Sequence, residues 1–469
     1  MPQRDDERLW GLVTGYGDLG SRFIADASSR LKLGALARSP GHRAATEAFR
    51  NRSVLIYTSD QLGTALALIA LDGIAGRVVI CPDKFPAELL PAVIARADVD
   101  AVVSDLLESL DGLGQFRGPV HKPEELAPPT ENVGGAKTEW ILFTSGTTGV
   151  PKLVVHTLQT LVGPIDRARS LGAHSVWSTF YDVRRYGGLQ ILLRALVAGG
   201  SMVLSSSWEA PADILKRMSS EVVTYVSGTP SHWRLALMSG RQNLIAPRYV
   251  RMSGEVADQA IIAALRATYP NAAVSHAFAS TEAGVVFDVD DGKAGFPARF
   301  FSSQNGSLTL GIKDSSLRVR SPRVARRYLG NDMPPIVDMD GFVDTGDTIE
   351  LRDDRYYFVG RREGIINIGG QKVHPEEIEA VINQHPEVQM SLVKARRSPI
   401  VGAIVVAEVV PLSPRAAADG DSSQGVDPLI GEVLQLCRAA LAPFKVPASV
   451  RIVPSLNISA AGKLVRARG

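Results

Sequence analysis

Short runs of β-branched and aliphatic residues alternate along this chain with longer stretches patterned like helices. The first run is Ser53-Val54-Leu55-Ile56-Tyr57, followed by a helical pattern over 64–74. Then come Arg77-Val78-Val79-Ile80-Cys81, a second helical pattern over 87–96, and Ala101-Val102-Val103. That is the rhythm of an α/β sheet with crossover helices. It resumes from Gln190 through Ser201-Met202-Val203-Leu204 to Tyr225-Val226-Ser227 and Tyr249-Val250-Arg251-Met252. Asp340-Gly341 and Asp353-Asp354 then punctuate two hairpin-like pairs that end at Tyr356-Tyr357-Phe358-Val359. A boundary falls at Gly360-Arg361. Beyond it, Pro375-Glu376-Glu377-Ile378-Glu379 reads as a helix start, with proline in the first turn and acids at the positive end of the dipole. Residues 412–426, rich in Pro, Ala, Asp, Ser and Gly, read as an exposed loop, and no internal repeat is visible.

The pattern predicts a large N-terminal α/β domain over 1–359, with parallel-rich sheets and a small β region. A small, mobile α+β domain would occupy 360–469.

The chemistry begins after the apolar run Trp140-Ile141-Leu142-Phe143. There the chain reads Thr144-Ser145-Gly146-Thr147-Thr148-Gly149-Val150-Pro151-Lys152. Gly146 and Gly149 tolerate the dihedrals that let successive N–H groups converge on one anion. Ser145, Thr147 and Thr148 add donors, and Lys152 adds a compact positive charge. The common P-loop requires Gly-x-x-x-x-Gly-Lys-Ser/Thr, and here Pro151 directly precedes the lysine. A polar turn is the alternative for a lone glycine-rich stretch. The ordered strand, hydroxyl-glycine loop, proline and lysine point to phosphate.

This segment resembles the signature loop of the adenylate-forming superfamily, which comprises acyl- and aryl-CoA synthetases, adenylation domains of peptide synthetases and luciferases. One departure is Leu153, where the family usually has glycine. Further segments similar to the family's follow in the same order. In His276-Ala277-Phe278-Ala279-Ser280-Thr281-Glu282 the resemblance implies that Phe278 lies against adenine, Thr281 contacts the α-phosphate and Glu282 holds magnesium. A hard cation bridging phosphates needs a carboxylate, so Glu282 suits the part. Phe278 and Ala279 replace the usual Tyr and Gly, and His276 stands where an amide residue is common. Without the family, Ser-Thr-Glu here would read as a helix cap.

Thr345-Gly346-Asp347 is similar to the segment whose aspartate grips both ribose hydroxyls, which makes Asp347 the ribose ligand. Arg361 matches the arginine that reaches ribose or phosphate, and Glu363 falls at the hinge position. A solvated charge run competes for these two. Gly462-Lys463 resembles the closing segment that presents a lysine for adenylation, where a cation neutralises charge building on the α-phosphate. Gly369, Gly370 and Lys372 lie where the family has a glycine loop along a pantetheine tunnel, although a tight hairpin would use the same glycines.

The acid pocket is implied by resemblance around Tyr181, Asp182, Tyr186 and Gly187, with Ser227, Gly254 and Glu255 as further pocket and nucleotide walls. Asp182 invites comparison with the ammonium-binding aspartate of amino-acid-activating members. Arg184 and Arg185 leave open an anion-bearing or hydroxylated acid, and equally a structural Asp–Arg pair.

Composition adds limits. A chain of 469 residues with 45% hydrophobic and 21% charged residues describes a globular protein of two or more domains. A formal charge of +2 carries no message about nucleic acid or membrane. Cys81 and Cys437 are too few for a disulfide framework and favour a reducing cytoplasm. No export signal or membrane span is expected.

The resemblance therefore implies an AMP-forming acid–thiol ligase that uses ATP, Mg and most readily CoA. Two alternatives stand beside it: an enzyme loading an acyl or amino acid onto a carrier-protein pantetheine, and a degenerate nucleotide-binding interaction protein. No sequence feature identifies the acid or the oligomeric state.

Overall fold

The computed structural model of the chain describes residues 8–16, 18–36, 43–106, 118–129, 137–144, 151–165, 174–206, 209–302, 308–330, 332–368, 371–398, 402–413, 427–459 and 462–466. The expected phosphate-loop residues Ser145, Gly146, Thr147, Thr148 and Gly149, the glycines Gly369 and Gly370, and most of the 412–426 segment lie outside the described residues.

Two large sheets dominate. In the 7-stranded sheet, Ser53–Ile56 pairs in parallel with Arg77–Ile80 and Ala101–Val103, and Glu139–Thr144 extends the parallel run. The chain then doubles back antiparallel as Lys152–Thr157, with Thr144 opposite Lys152. In the 8-stranded sheet, Val176–Thr179, Tyr225–Gly228, Tyr249–Ser253 and Ala273–Ser280 are parallel neighbours, and Gly284–Val289 closes one edge antiparallel.

Alternation along each strand explains the layering. Val54, Ile56, Val78 and Ile80 join a central core with the helices Gln61–Leu71 and Tyr186–Val197, while Leu55 and Val79 face a second core with Leu90 and Val93. Both helices are buried between the two sheets, whereas Val226, Val250 and Val274 pack the far face of the larger sheet against Ile214, Trp233 and Ile261. The 61–71 helix begins three residues earlier than the pattern suggests, because Asp60 caps it through the Gly63 N–H. Residues 87–96 divide into a 3₁₀ turn, Ala87–Leu89, and a helix, Leu90–Arg96, with proline near its start.

A 5-stranded sheet includes Val343–Arg352 and Arg355–Arg361, hinged at the predicted Asp353-Asp354 turn. The second strand runs past the expected boundary at Val359, since Arg361 still pairs with Asp347 in the ladder. Beyond it lie a hairpin, Ile366–Ile368 with Gln371–Val373, a 3-stranded sheet, and the helices Pro375–Ile382 and Pro428–Ala440. Their apolar cluster draws only on residues between Ile366 and Ile452. Among the described residues no helix is long and apolar enough to cross a membrane.

Candidate active site

The strand ending at Thr144 and the one starting at Lys152 bracket the phosphate-loop sequence, so the lysine stands at the loop end of their ladder. Its ammonium lies 5.2 Å from the centroid of the Tyr328 ring. The Tyr328 hydroxyl donates to Glu282 Oε1 at 3.1 Å, which brings the expected metal-binding carboxylate to the same place. Thr281 is fixed from below, as its carbonyl lies 2.7 Å from Nε2 of the buried His156. Burial lowers the His156 pKa to about 4, so the ring is neutral and Nε2–H is the donor. Lys152, Thr281, Glu282 and Tyr328 therefore converge.

His276 and Phe278 point to the opposite side of their strand from Ser275 and Ala277. His276 Nε2 contacts the Lys293 carbonyl at 3.0 Å. The Phe278 ring, proposed against a base, stacks on Phe358 at 4.8 Å and on Phe287 at 5.8 Å, and stays partly exposed.

Asp347 accepts from Arg361 Nε at 3.1 Å, and Arg361 also reaches the Thr345 carbonyl at 3.2 Å. Burial raises the Asp347 pKa above the ordinary carboxylate value, with Arg361 and Lys463 opposing.

Lys463 arrives on the turn that closes the described chain, and two hydrogen bonds from the large sheet's loops flank it. Thr229 Oγ1 donates to the Gly462 carbonyl at 2.6 Å, and Leu464 N–H donates to Glu255 Oε1 at 3.0 Å. Thr229 is itself the N-cap of the helix Pro230–Met238. Gly254 has φ +88, and a Cβ there would sit 3.5 Å from Lys463 Cε. Burial pulls the Lys463 pKa down, Arg361 adds to this, and Glu255 and Asp347 oppose it.

Two of the expected site carboxylates already have partners within the chain. Glu255, grouped with the nucleotide residues, spends both oxygens on backbone: Ser231 N–H at 3.0 Å and Leu464 N–H. It is a brace between the Lys463 turn and a helix start. Asp182, considered as an ammonium partner, is buried and accepts from both the backbone N–H and the Nε of Arg184, at 2.9 and 2.8 Å. An i,i+2 ion pair folded under a helix start engages Oδ1, while Oδ2 is buried without a hydrogen-bond partner.

Tyr181 is buried with its hydroxyl 2.8 Å from the Ser253 carbonyl, Tyr186 and Gly187 begin the 186–197 helix, and Ser227 is buried on the sheet face beneath it. Glu363 sits on the exposed turn Arg362–Gly364, and Lys372 is exposed on its hairpin. His232 and Tyr328 escaped sequence reading. A Thr-Pro-x-His capping pattern was the available signal for the first; nothing local marked the second.

Layered sheets, a lysine at a loop-flanking strand end, and a second lysine delivered by a C-terminal turn define an adenylate-forming enzyme. The chain belongs to the AMP-binding enzyme family, whose sequence pattern matches residues 46–300 and whose C-terminal domain pattern matches 377–463. The 2-succinylbenzoate–CoA ligase of Bacillus velezensis is 25% identical over 430 residues, covering 89% of this chain and 82% of that protein. The anthranilate CoA ligase AuaEII, solved with anthranoyl-AMP, superposes with a TM-score of 0.79 at 16% identity, covering 98% of this chain and 95% of that one. ATP-bound MatB from Rhodopseudomonas palustris gives 0.77 at 19% identity, with 98% and 97% covered.

Proposed function

We propose that the protein activates a small carboxylic acid with ATP and passes the acyl group to CoA. The carrying observation is the placement of Lys463: a cation on a turn that Thr229 and Glu255 hold against the loops of the larger sheet, beside Gly254 and within electrostatic reach of Asp347 and Arg361. In the first step a carboxylate oxygen bonds to the α-phosphorus and the bond to the pyrophosphate oxygen breaks. Lys463 donates to the α-phosphoryl oxygens as charge accumulates there, and Lys152 meets the departing phosphates. Asp347 accepts from the ribose diol while Arg361 holds its carboxylate in place. Thr281 contacts the α-phosphate.

Among the described residues no group of three or more metal-binding side chains is present. That suits Mg²⁺, which takes one or two carboxylates and completes its shell with phosphates and water. Glu282 would hold it, supplying charge neutralisation across the phosphates.

In the second step the thiol sulfur attacks the acyl carbon and AMP leaves. The polypeptide beyond Glu363 turns about that residue, withdrawing Lys463 and bringing Gly369, Gly370 and Lys372 toward the acyl group. Free CoA is preferred over a carrier protein because the relatives include CoA ligases that align over most of both chains. Arg184 engages only Oδ1 of Asp182, and its Oδ2 is buried without a hydrogen-bond partner, so amino acids belong in the substrate panel.

The test is acid-dependent ATP–pyrophosphate exchange over a panel of fatty, aryl and amino acids, followed by mass spectrometry of products formed with CoA. Exchange with no acid, or an adenylate that never becomes a CoA thioester, would refute this function.

A further inference from the structure

The face that the 8-stranded sheet turns toward the 186–197 helix is not apolar at its centre. Register places Thr179, Ser227, Arg251 and Ser275 in one row across four parallel strands. The helix answers with Tyr186 and Arg194, on one stripe with Gln190, whose amide donates to the Leu161 carbonyl at 3.0 Å. Arg251 is 2% exposed and pairs through Nε with Asp288 Oδ1 at 2.7 Å, but its Nη2 is buried without a hydrogen-bond partner. Arg194 Nε and Ser227 Oγ are likewise buried and unpartnered.

The charges here do not balance. Burial pulls the Arg194 pKa down, and neighbouring Arg251 pulls it further, against Asp288. Arg323, whose Nη1 donates to the Val285 carbonyl at 3.2 Å, is close enough to act on Tyr186 together with Arg194 and Arg251. Three guanidiniums thus face one carboxylate, Asp288, at the edge of a buried polar layer. A buried cation without its counter-ion is costly, so the layer is complementary to an anion it does not itself contain.

The layer connects directly to the reaction centre. Arg251 and Gly254, which abuts Lys463, are three residues apart on one strand and its exit. At a rise of ~3.3 Å per residue the two positions are on the order of 10 Å apart. An acid whose carboxyl is held at Lys463 would extend past Ser227 toward Arg251 and Arg194.

We propose that the acid substrate carries a second anionic group, separated from the activated carboxyl by an aryl or short alkyl body, and that Arg194 and Arg251 bind it. Asp288 is the positioning residue: its carboxylate fixes the Arg251 fork and leaves Nη2 for the ligand. This inference rests on the acid-activating function proposed above and specifies its substrate class.

The experiment compares wild-type ATP–pyrophosphate exchange for aryl and alkyl diacids with that for their distal mono-amides, which match them in size and lack the second charge. Diacids are expected to show kcat/KM higher on the order of a hundredfold. Arg194→Gln should erase most of that ratio by raising KM for the diacid, while KM for ATP stays unchanged. Arg194→Lys should restore part of it. The wild-type comparison requires no variant to fold, and thermal melts check those that are made. Equal kcat/KM for diacids and mono-amides would overturn the second-anion site and leave acid activation standing. Exchange with no acid at all would overturn both.

Discussion

Replacing Gly462 by alanine isolates the delivery of Lys463 from its chemistry. Gly462 has φ +72, a region that costs an L-residue about 1–2 kcal/mol. An added Cβ would also fall inside the imidazole of His232. That ring has no free direction of retreat, since it stacks on Phe180 at 5.7 Å, meets Tyr181 edge-on at 5.7 Å, and accepts the Thr229 N–H through Nδ1 at 3.2 Å. The turn must therefore leave, giving up the Thr229–Gly462 and Leu464–Glu255 hydrogen bonds at a net ~0.5–1.5 kcal/mol each. Together these terms come to roughly 2–5 kcal/mol, or about one and a half to three and a half orders of magnitude in the adenylation rate. The side chain of Lys463 is untouched, and the C-terminal apolar cluster contains neither residue. Gly462→Ala should lose acid-dependent ATP–pyrophosphate exchange yet convert a supplied acyl adenylate to thioester at close to the wild-type rate. Exchange within about twofold of wild type, or equal loss in both half-reactions by a folded variant, would refute this account of the turn.

Lys463→Ala should show the same split between half-reactions, read by single-turnover assays of each. Asp347→Ala should raise KM for ATP by roughly tenfold to a hundredfold, the range for a charge-assisted hydrogen bond, with no change in KM for the acid. Leu68→Ala, fully buried between the two large sheets, should cost about 2–5 kcal/mol in urea unfolding without altering KM for any substrate. His156 and His232 are held neutral by burial, with folded pKa values of about 4 against the ordinary 6.5. Between those values the unfolded chain binds more protons, so stability present above pH 6.5 is lost as pH falls toward 4, by at most about 3 kcal/mol per histidine. Urea midpoints at pH 7 and pH 5 check this, and His232→Gln should flatten the profile.

Strand and helix patterning was legible wherever burial repeats locally: the runs at 53–57, 77–81 and 101–103 became parallel strands on both of whose faces cores form. The Asp353-Asp354 turn was equally plain, because turn chemistry is carried by the turn residues. Partners distant in sequence were not. Nothing near Thr229 announces Gly462, 233 positions away, and nothing near Glu282 announces Tyr328. Asp182 was ambiguous because an aromatic-Asp context looks the same whether the carboxylate faces a ligand or the arginine two residues on, which here takes Oδ1. Arg251 carried an unused signal: a guanidinium in the middle of an otherwise apolar central strand.

The separate apolar cluster of the C-terminal part has a consequence for how the enzyme divides its time. Its described hydrogen bonds to the rest of the chain include Thr229 to Gly462, Leu464 to Glu255, Arg234 to the Gln389 carbonyl, Gln389 to the Arg234 carbonyl, and Asn383 to Asp258. Each exchanges readily for a bond to water, so the docked arrangement is held by only a few kcal/mol. On the rotation proposed above, occupancy of that arrangement would be a property of the bound ligand rather than of the protein alone: a nucleotide with differential affinity of the same size would reverse the populations.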